Sequence, residues 1–110
     1  MNGGVDIRGY ITSISAFEGG QGAGMLGSVL IEGEFEEDTS FDRASATVTE
    51  DTRIFIASGG DRTEAEFSDL EVGQYVEAVF TGPVAESYPV QATAAEIVVL
   101  EPTPVGEAVD

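Results

Sequence analysis

Apolar and polar residues alternate with a period of two along five separate stretches of the chain. Glycine-rich or acidic breaks separate those stretches, and one short helical signal stands between the third and the fourth. Together these observations predict an all-β domain. In the first stretch, residues 5–14, Val5, Ile7 and Ile11 alternate with polar residues. Gly9 within it and the change of apolar face at Ile14 predict a bend or bulge. Residues 18–27 are too rich in glycine for regular structure and are expected to form a mobile loop. Residues 28–35 set Val29, Ile31 and Phe35 on one face and Glu32 and Glu34 on the other, the pattern of a half-buried second strand.

After an acidic turn over residues 36–42, residues 44–49 alternate small apolar with hydroxyl side chains, as a third strand would. Ile54, Phe55 and Ile56 extend that strand beyond a turn at Glu50, Asp51 and Thr52. The helical signal covers residues 63–70: Thr63 and Glu66 have capping-box spacing, Phe67 and Leu70 fall on one helical face, and Gly73 follows as a stop. Residues 74–80 bury Val76, Ala78 and Phe80 as a fourth strand. Residues 90–100 make a long fifth strand, whose frame shift at Ala94 and Ala95 predicts a bulge. Three strands, a helix and two strands is the order of a five-stranded Greek-key OB-like barrel, here occupying residues 1–100. Residues 101–110, prolyl and acidic, are expected to form a disordered tail.

The 110 residues carry 21 acidic and four basic side chains, for a net charge of −17. They contain no His, Cys or Trp, and every basic residue is an arginine: Arg8, Arg43, Arg53 and Arg62. This composition excludes Ser-His-Asp and Cys-His catalysis, lysine Schiff bases, His/Cys zinc sites, a P-loop lysine and disulfides. A chain of this length forms one domain and buries roughly 65% of the surface exposed when unfolded, enough for a core without staples.

Because the arginines are scattered singly, no basic stripe exists to neutralise phosphates, and the net charge repels nucleic acid and anionic lipid. No apolar run approaches the roughly 20 residues that span a bilayer, so no membrane insertion is expected. The first ten residues lack the basic start and apolar core of an export signal, and localisation stays open. With 42% hydrophobic residues, the carboxylates coat a folded core and are not those of a disordered acidic tail. Such a coat without lysine suits a salt-rich solvent, where the screening length shrinks to about 3 Å at 1 M and self-repulsion disappears. The bland alternative is an ordinary acidic protein.

Residues 82–92, Gly-Pro-Val-Ala-Glu-Ser-Tyr-Pro-Val-Gln-Ala, follow Asp-Leu-Glu-Val-Gly-Gln at residues 69–74 and Val-Thr-Glu-Asp-Thr at residues 48–52. In these segments the chain resembles the YobA-like family, over about residues 6–100. The resemblance implies a small OB-like β-barrel and an extracytoplasmic or envelope-associated setting. It implies no activity.

Three motifs bear on function. Gly22, Gly24 and Gly27 match G-x-G-x-x-G, but a strand follows where a dinucleotide site needs a helix, so the motif reads as a connection and no cofactor is expected. Glu86, Ser87, Tyr88 and Gln91 are candidates for the polar and aromatic rim of a ligand groove, because in an OB-like barrel the link between strands four and five flanks the ligand face. Their structural reading is that Pro89 directs the chain into strand five, Tyr88 plugs a barrel end and Gln91 satisfies backbone groups. The Tyr88-Pro89 bond is a candidate for the cis form. Glu32, Glu34, Glu36 and Asp38, in the densest carboxylate run, are candidate ligands for calcium or magnesium, against the default of a solvated acidic face.

A carboxylate-dependent hydrolase is a third reading, weakened by the absence of Trp to stack on a sugar. The reading that follows is a monomeric, non-catalytic binding or protein-interaction module adapted to high salt. Its partner would be a protein or an uncharged or cationic small ligand, meeting the loops near residues 19–27 and 82–88. Thermal unfolding across a KCl series is expected to show the midpoint rising toward multimolar salt, with millimolar calcium adding nothing beyond matched ionic strength. A rise with calcium alone would assign a cation site to the carboxylates.

Overall fold

The structure is a computed structural model that describes residues 5–16, 24–34 and 39–100. It is all-β. Strand β1 (Ile7–Ala16) pairs antiparallel with β2 (Met25–Gly33), and β2 in turn pairs with β3 (Arg43–Thr49). The other edge of β1 pairs with β6 (Tyr75–Ala85), which is antiparallel to β7 (Val90–Leu100). Strand β7 then runs parallel to β3, from Ala44 opposite Val90 to Thr47 opposite Thr93, so these strands pair in a closed circuit. Farther along, β7 also pairs in parallel with β4 (Arg53–Ser58), and β4 forms a hairpin with β5 (Asp61–Ala65).

Period-two alternation accounts for the interior. Ile7 and Ile11 of β1, Val29 and Ile31 of β2, and Ala44, Ala46 and Val48 of β3 are buried. They meet Val76 and Ala78 of β6 and Ala94, Ile97 and Val99 of β7 in one cluster. No polar or charged side chain is buried among the described residues, so nothing ionic competes with hydrophobic burial as the source of stability. Among the same residues no helix is long and apolar enough to cross a membrane.

The sheet has seven strands, where the sequence pattern predicts five. The difference lies in residues 53–70. Ile54, Phe55 and Ile56 belong to a full strand, and the predicted helix is replaced by β5, in register with β4 from Ser58 opposite Asp61 to Ile54 opposite Ala65. Gly59 (φ +61°) and Gly60 (φ +93°) make the two-residue turn between them, a Gly-Gly hairpin signal that outweighs the capping-box spacing. The helical tendency survives only as a 3-10 turn at Phe67–Asp69, where the Glu66 amide donates to Asp69 Oδ2 at 2.9 Å.

Other boundaries also move. The β1 bulge falls at Thr12, between Ile11 and Ser13, and not at Gly9. Strand β2 starts earlier than predicted, at Met25, so Gly27 is strand and not loop. Strand β6 continues to Ala85. The predicted bulge in β7 is present, since Val79 faces Glu96 while Phe80 faces Ala94, which leaves Ala95 as the extra residue. Phe35, most of the glycine-rich loop and the predicted tail lie outside the described residues.

Gly9 and Gly33 are register partners, and a Cβ on either would collide with backbone of the other strand. Gly27 lies between the Ser15 carbonyl and the Phe67 ring, both of which a Cβ would strike. Gly27→Ala is therefore expected to destabilise the fold by about 1–3 kcal/mol through overpacking, read as a lower midpoint in urea denaturation.

Candidate functional site

The link between β6 and β7 is set by local hydrogen bonds. The Ser87 amide donates to the Ala85 carbonyl at 2.9 Å, and Ser87 Oγ donates to the Pro89 carbonyl at 2.8 Å. The Tyr88-Pro89 bond is cis. Tyr88 is turned outward, 66% exposed, so it does not plug the end of the fold as its structural reading required. Its hydroxyl donates to Asp42 Oδ2 at 3.2 Å, and the Arg43 guanidinium lies 5.5 Å from its ring centroid.

Arg43 reaches across to its register partner Glu32, with Nη2 2.9 Å from Oε1. The other carboxylate oxygen of Glu32 accepts from Thr12 Oγ1 at 3.0 Å. A hydrogen-bonded and stacked string thus runs Thr12, Glu32, Arg43, Tyr88, Asp42 across β1, β2, β3 and the β6–β7 link. The backbone prepares it at both ends: the bulge turns Thr12 outward, and the Gly33 amide donates to the Asp42 carbonyl at 2.8 Å, fixing how the chain enters β3.

Electrostatics lock the protonation states. The hydrogen bond from Arg43, then that from Thr12, lower the Glu32 pKa, and the same contact raises that of Arg43. Loss of solvent around its phenol, then the bond to Asp42, raise the Tyr88 pKa. Near neutrality Glu32 is therefore an anion and Tyr88 a neutral phenol.

The residues singled out from sequence are partly brought together. Tyr88 joins the string, while Ser87 shapes the link. Glu86 and Gln91 are exposed beside it, Gln91 opposite Ser45 on β3. Gln91 makes no side-chain hydrogen bond among the described residues, contrary to its structural reading. Of the candidate cation ligands, Glu32 has both oxygens engaged by Arg43 and Thr12. Glu34 lines, together with Glu32, an open cleft of about 390 Å³ that Arg8, Tyr10 and Tyr75 complete. Glu36 and Asp38 lie outside the described residues. Among the described residues no three Asp or Glu side chains converge as a metal site would require. Thr12 and Arg43 were missed from sequence, and Asp42 was read only as part of the acidic run with Glu32; the one available signal for Arg43 was that it is one of only four cations.

Beside Tyr88 lies the outer face of β2, β3 and β7. Leu30, Ser45 and Gln91 form one cross-strand row, and Ser28, Thr47 and Thr93 form the next. All six point outward, since each alternates with buried neighbours or is itself exposed. None is ionisable.

Residues 26–101, from β2 through β7, match the family described as Protein of unknown function (DUF3221), and the chain belongs to that family. No curated protein and no solved structure matches it.

The lowered Glu32 pKa fixes the pH dependence of the string. Its contribution is complete above the ordinary glutamate value of 4.5 and disappears as pH falls through the lowered value. Arg43→Met is accordingly expected to unfold at a lower temperature than the parent at neutral pH, with the gap closing in acid. A gap unchanged in acid would mean that packing of the arginine stem, and not its charge, is what was lost.

Proposed function

We propose that the chain is a non-catalytic binding module whose ligand meets the outer face of β2, β3 and β7 beside the β6–β7 link. In this reading the closed circuit is an OB-type barrel with β4 and β5 added as a hairpin, which agrees with the resemblance to YobA-like proteins at Glu86, Ser87, Tyr88 and Pro89. The observation that carries the reading is Tyr88. A large aromatic side chain, mostly exposed, is held by a cation on its ring and a carboxylate on its hydroxyl at the border of an uncharged face. Tyrosine is enriched at binding interfaces because it joins a large apolar ring to a polar tip. The partner is a protein or an uncharged or cationic small ligand, because the surrounding charge repels anions. The acidic coat is an adaptation to high salt.

Tyr88→Ala tests the reading. The variant is expected to retain the parent's circular dichroism and melting midpoint within a degree or so, since little of the ring is buried. In amide-resolved NMR of the full chain, titrated with a library of neutral and cationic fragments, ligand shifts are expected at Ser45, Tyr88 and Gln91 and to be lost in the variant. Shifts clustered on another face, or unfolding of Tyr88→Ala, would remove the reading.

A further inference from the structure

We propose that the ligand of this face is a neutral oligosaccharide, an inference that rests on the binding-module reading above. The chain places 21 carboxylates on 110 residues, yet Ser28, Leu30, Ser45, Thr47, Gln91 and Thr93 form a patch across β2, β3 and β7 without an ionisable group. A protein coated with carboxylate against salt has left one continuous area uncoated.

The chemistry of that area is specific. Four hydroxyls and one carboxamide surround a single apolar side chain, Leu30, and none of the five polar side chains is hydrogen-bonded to another described residue. Some hydroxyls elsewhere are occupied, since Thr12 donates to Glu32, Thr52 donates to the Ala94 carbonyl at 2.7 Å, and the Asp51 amide donates to Thr49 Oγ1, while those of Ser13, Ser15, Ser58, Thr63 and Thr81 are open like those of the patch. Each free hydroxyl can both donate and accept, and the amide of Gln91 adds two donors and an acceptor. The groups stand about 4.8 Å apart between strands and about 7 Å apart along them, a grid on the scale of successive sugar rings.

Charge selects the class of ligand. Phosphorylated, sulfated and uronate ligands meet the repulsion of the surrounding carboxylates. A cationic ligand finds no carboxylate on the patch itself, so its attraction lies elsewhere on the surface. A neutral polyhydroxylated chain loses nothing to the field and finds hydrogen-bonding partners of both kinds. Leu30 offers an apolar spot for the C–H face of a pyranose, and the exposed Tyr88 ring offers an aromatic edge at the border of the patch. No acid–base pair is needed, in keeping with recognition without turnover.

The test uses the full chain, isotopically labelled, in molar KCl. Three neutral probes, cellohexaose, maltohexaose and chitohexaose, are titrated separately, with hexalysine and a hexagalacturonate as charged arms. At least one neutral probe is expected to shift the amides of Ser28, Ser45, Thr47, Gln91 and Thr93 with a Kd on the order of 1 mM or tighter. Thr47→Ala and Gln91→Ala, on different strands and each checked for an intact spectrum, are expected to weaken it by about fivefold each, the loss of one hydrogen bond. Shifts of these residues by hexalysine alone would overturn the sugar and leave the binding face standing. Shifts by hexagalacturonate equal to those by the neutral probes would overturn the argument from charge. Silence with all three neutral probes would overturn the proposal, and the fragment titration then decides separately whether the face binds anything.

Discussion

The parallel pairing of β3 with β7 is the constraint on which the rest of the structure depends. It joins strands far apart in sequence and turns a row of antiparallel neighbours into a closed circuit, so that every inward side chain must share one small interior. The inner faces at this seam are correspondingly small: Ala44 faces Val90 and Ala46 faces Ala92, while Ile and Val from β1, β2 and β6 fill the remaining space. Glycines at Gly9 and Gly33 let β1 and β2 approach where a side chain would have no room. With no buried polar group among the described residues to fix the register, packing volume and strand alternation carry that task.

Only four cations are available, and their placement follows the strand seams. Arg8 meets its register partner Glu77 on β6 at 2.8 Å, Arg43 meets Glu32 on β2, and Arg62 reaches Glu96 on β7 at 3.5 Å. Arg53 and Arg62 both lie over the ring of Phe55. Such pairs add little to stability at a solvent-screened surface, so their effect is local order more than global stability. At the Tyr88 border that order matters most, because the same arginine that neutralises Glu32 also holds the aromatic ring beside the one uncharged face of β2, β3 and β7.

Much of the fold was legible in the sequence because burial alternates with the backbone pleat. Val29 and Ile31, Ala44 and Ala46, Val76 and Ala78 announce their inward faces directly, and the bulge of β7 shows as a break in that alternation. Residues 61–70 were misread because their local signals, Thr63 with Glu66 and Phe67 with Leu70, suit a helix. The free edge of β4 and the Gly59-Gly60 turn made strand pairing the better way to satisfy the same backbone. In the candidate site, Tyr88 stood out as an unusual residue in an unusual segment. Its partners Asp42 and Arg43 did not, since more than forty residues separate them from it and nothing local marks the contact.

By itself the sequence determined that the chain is β-rich, that it lacks the His, Cys and Lys on which triad, thiol, imine and His/Cys zinc chemistry depend, and that it is strongly acidic. These properties depend on composition and on periodicity over a few residues. Tertiary structure alone decided the pairing of β3 with β7, the addition of β4 and β5, and the meeting of Glu32, Arg43 and Tyr88 beside a patch of hydroxyls. Those outcomes depend on which distant strands share an edge, a choice set by the volume of the common interior, and no local pattern encodes it.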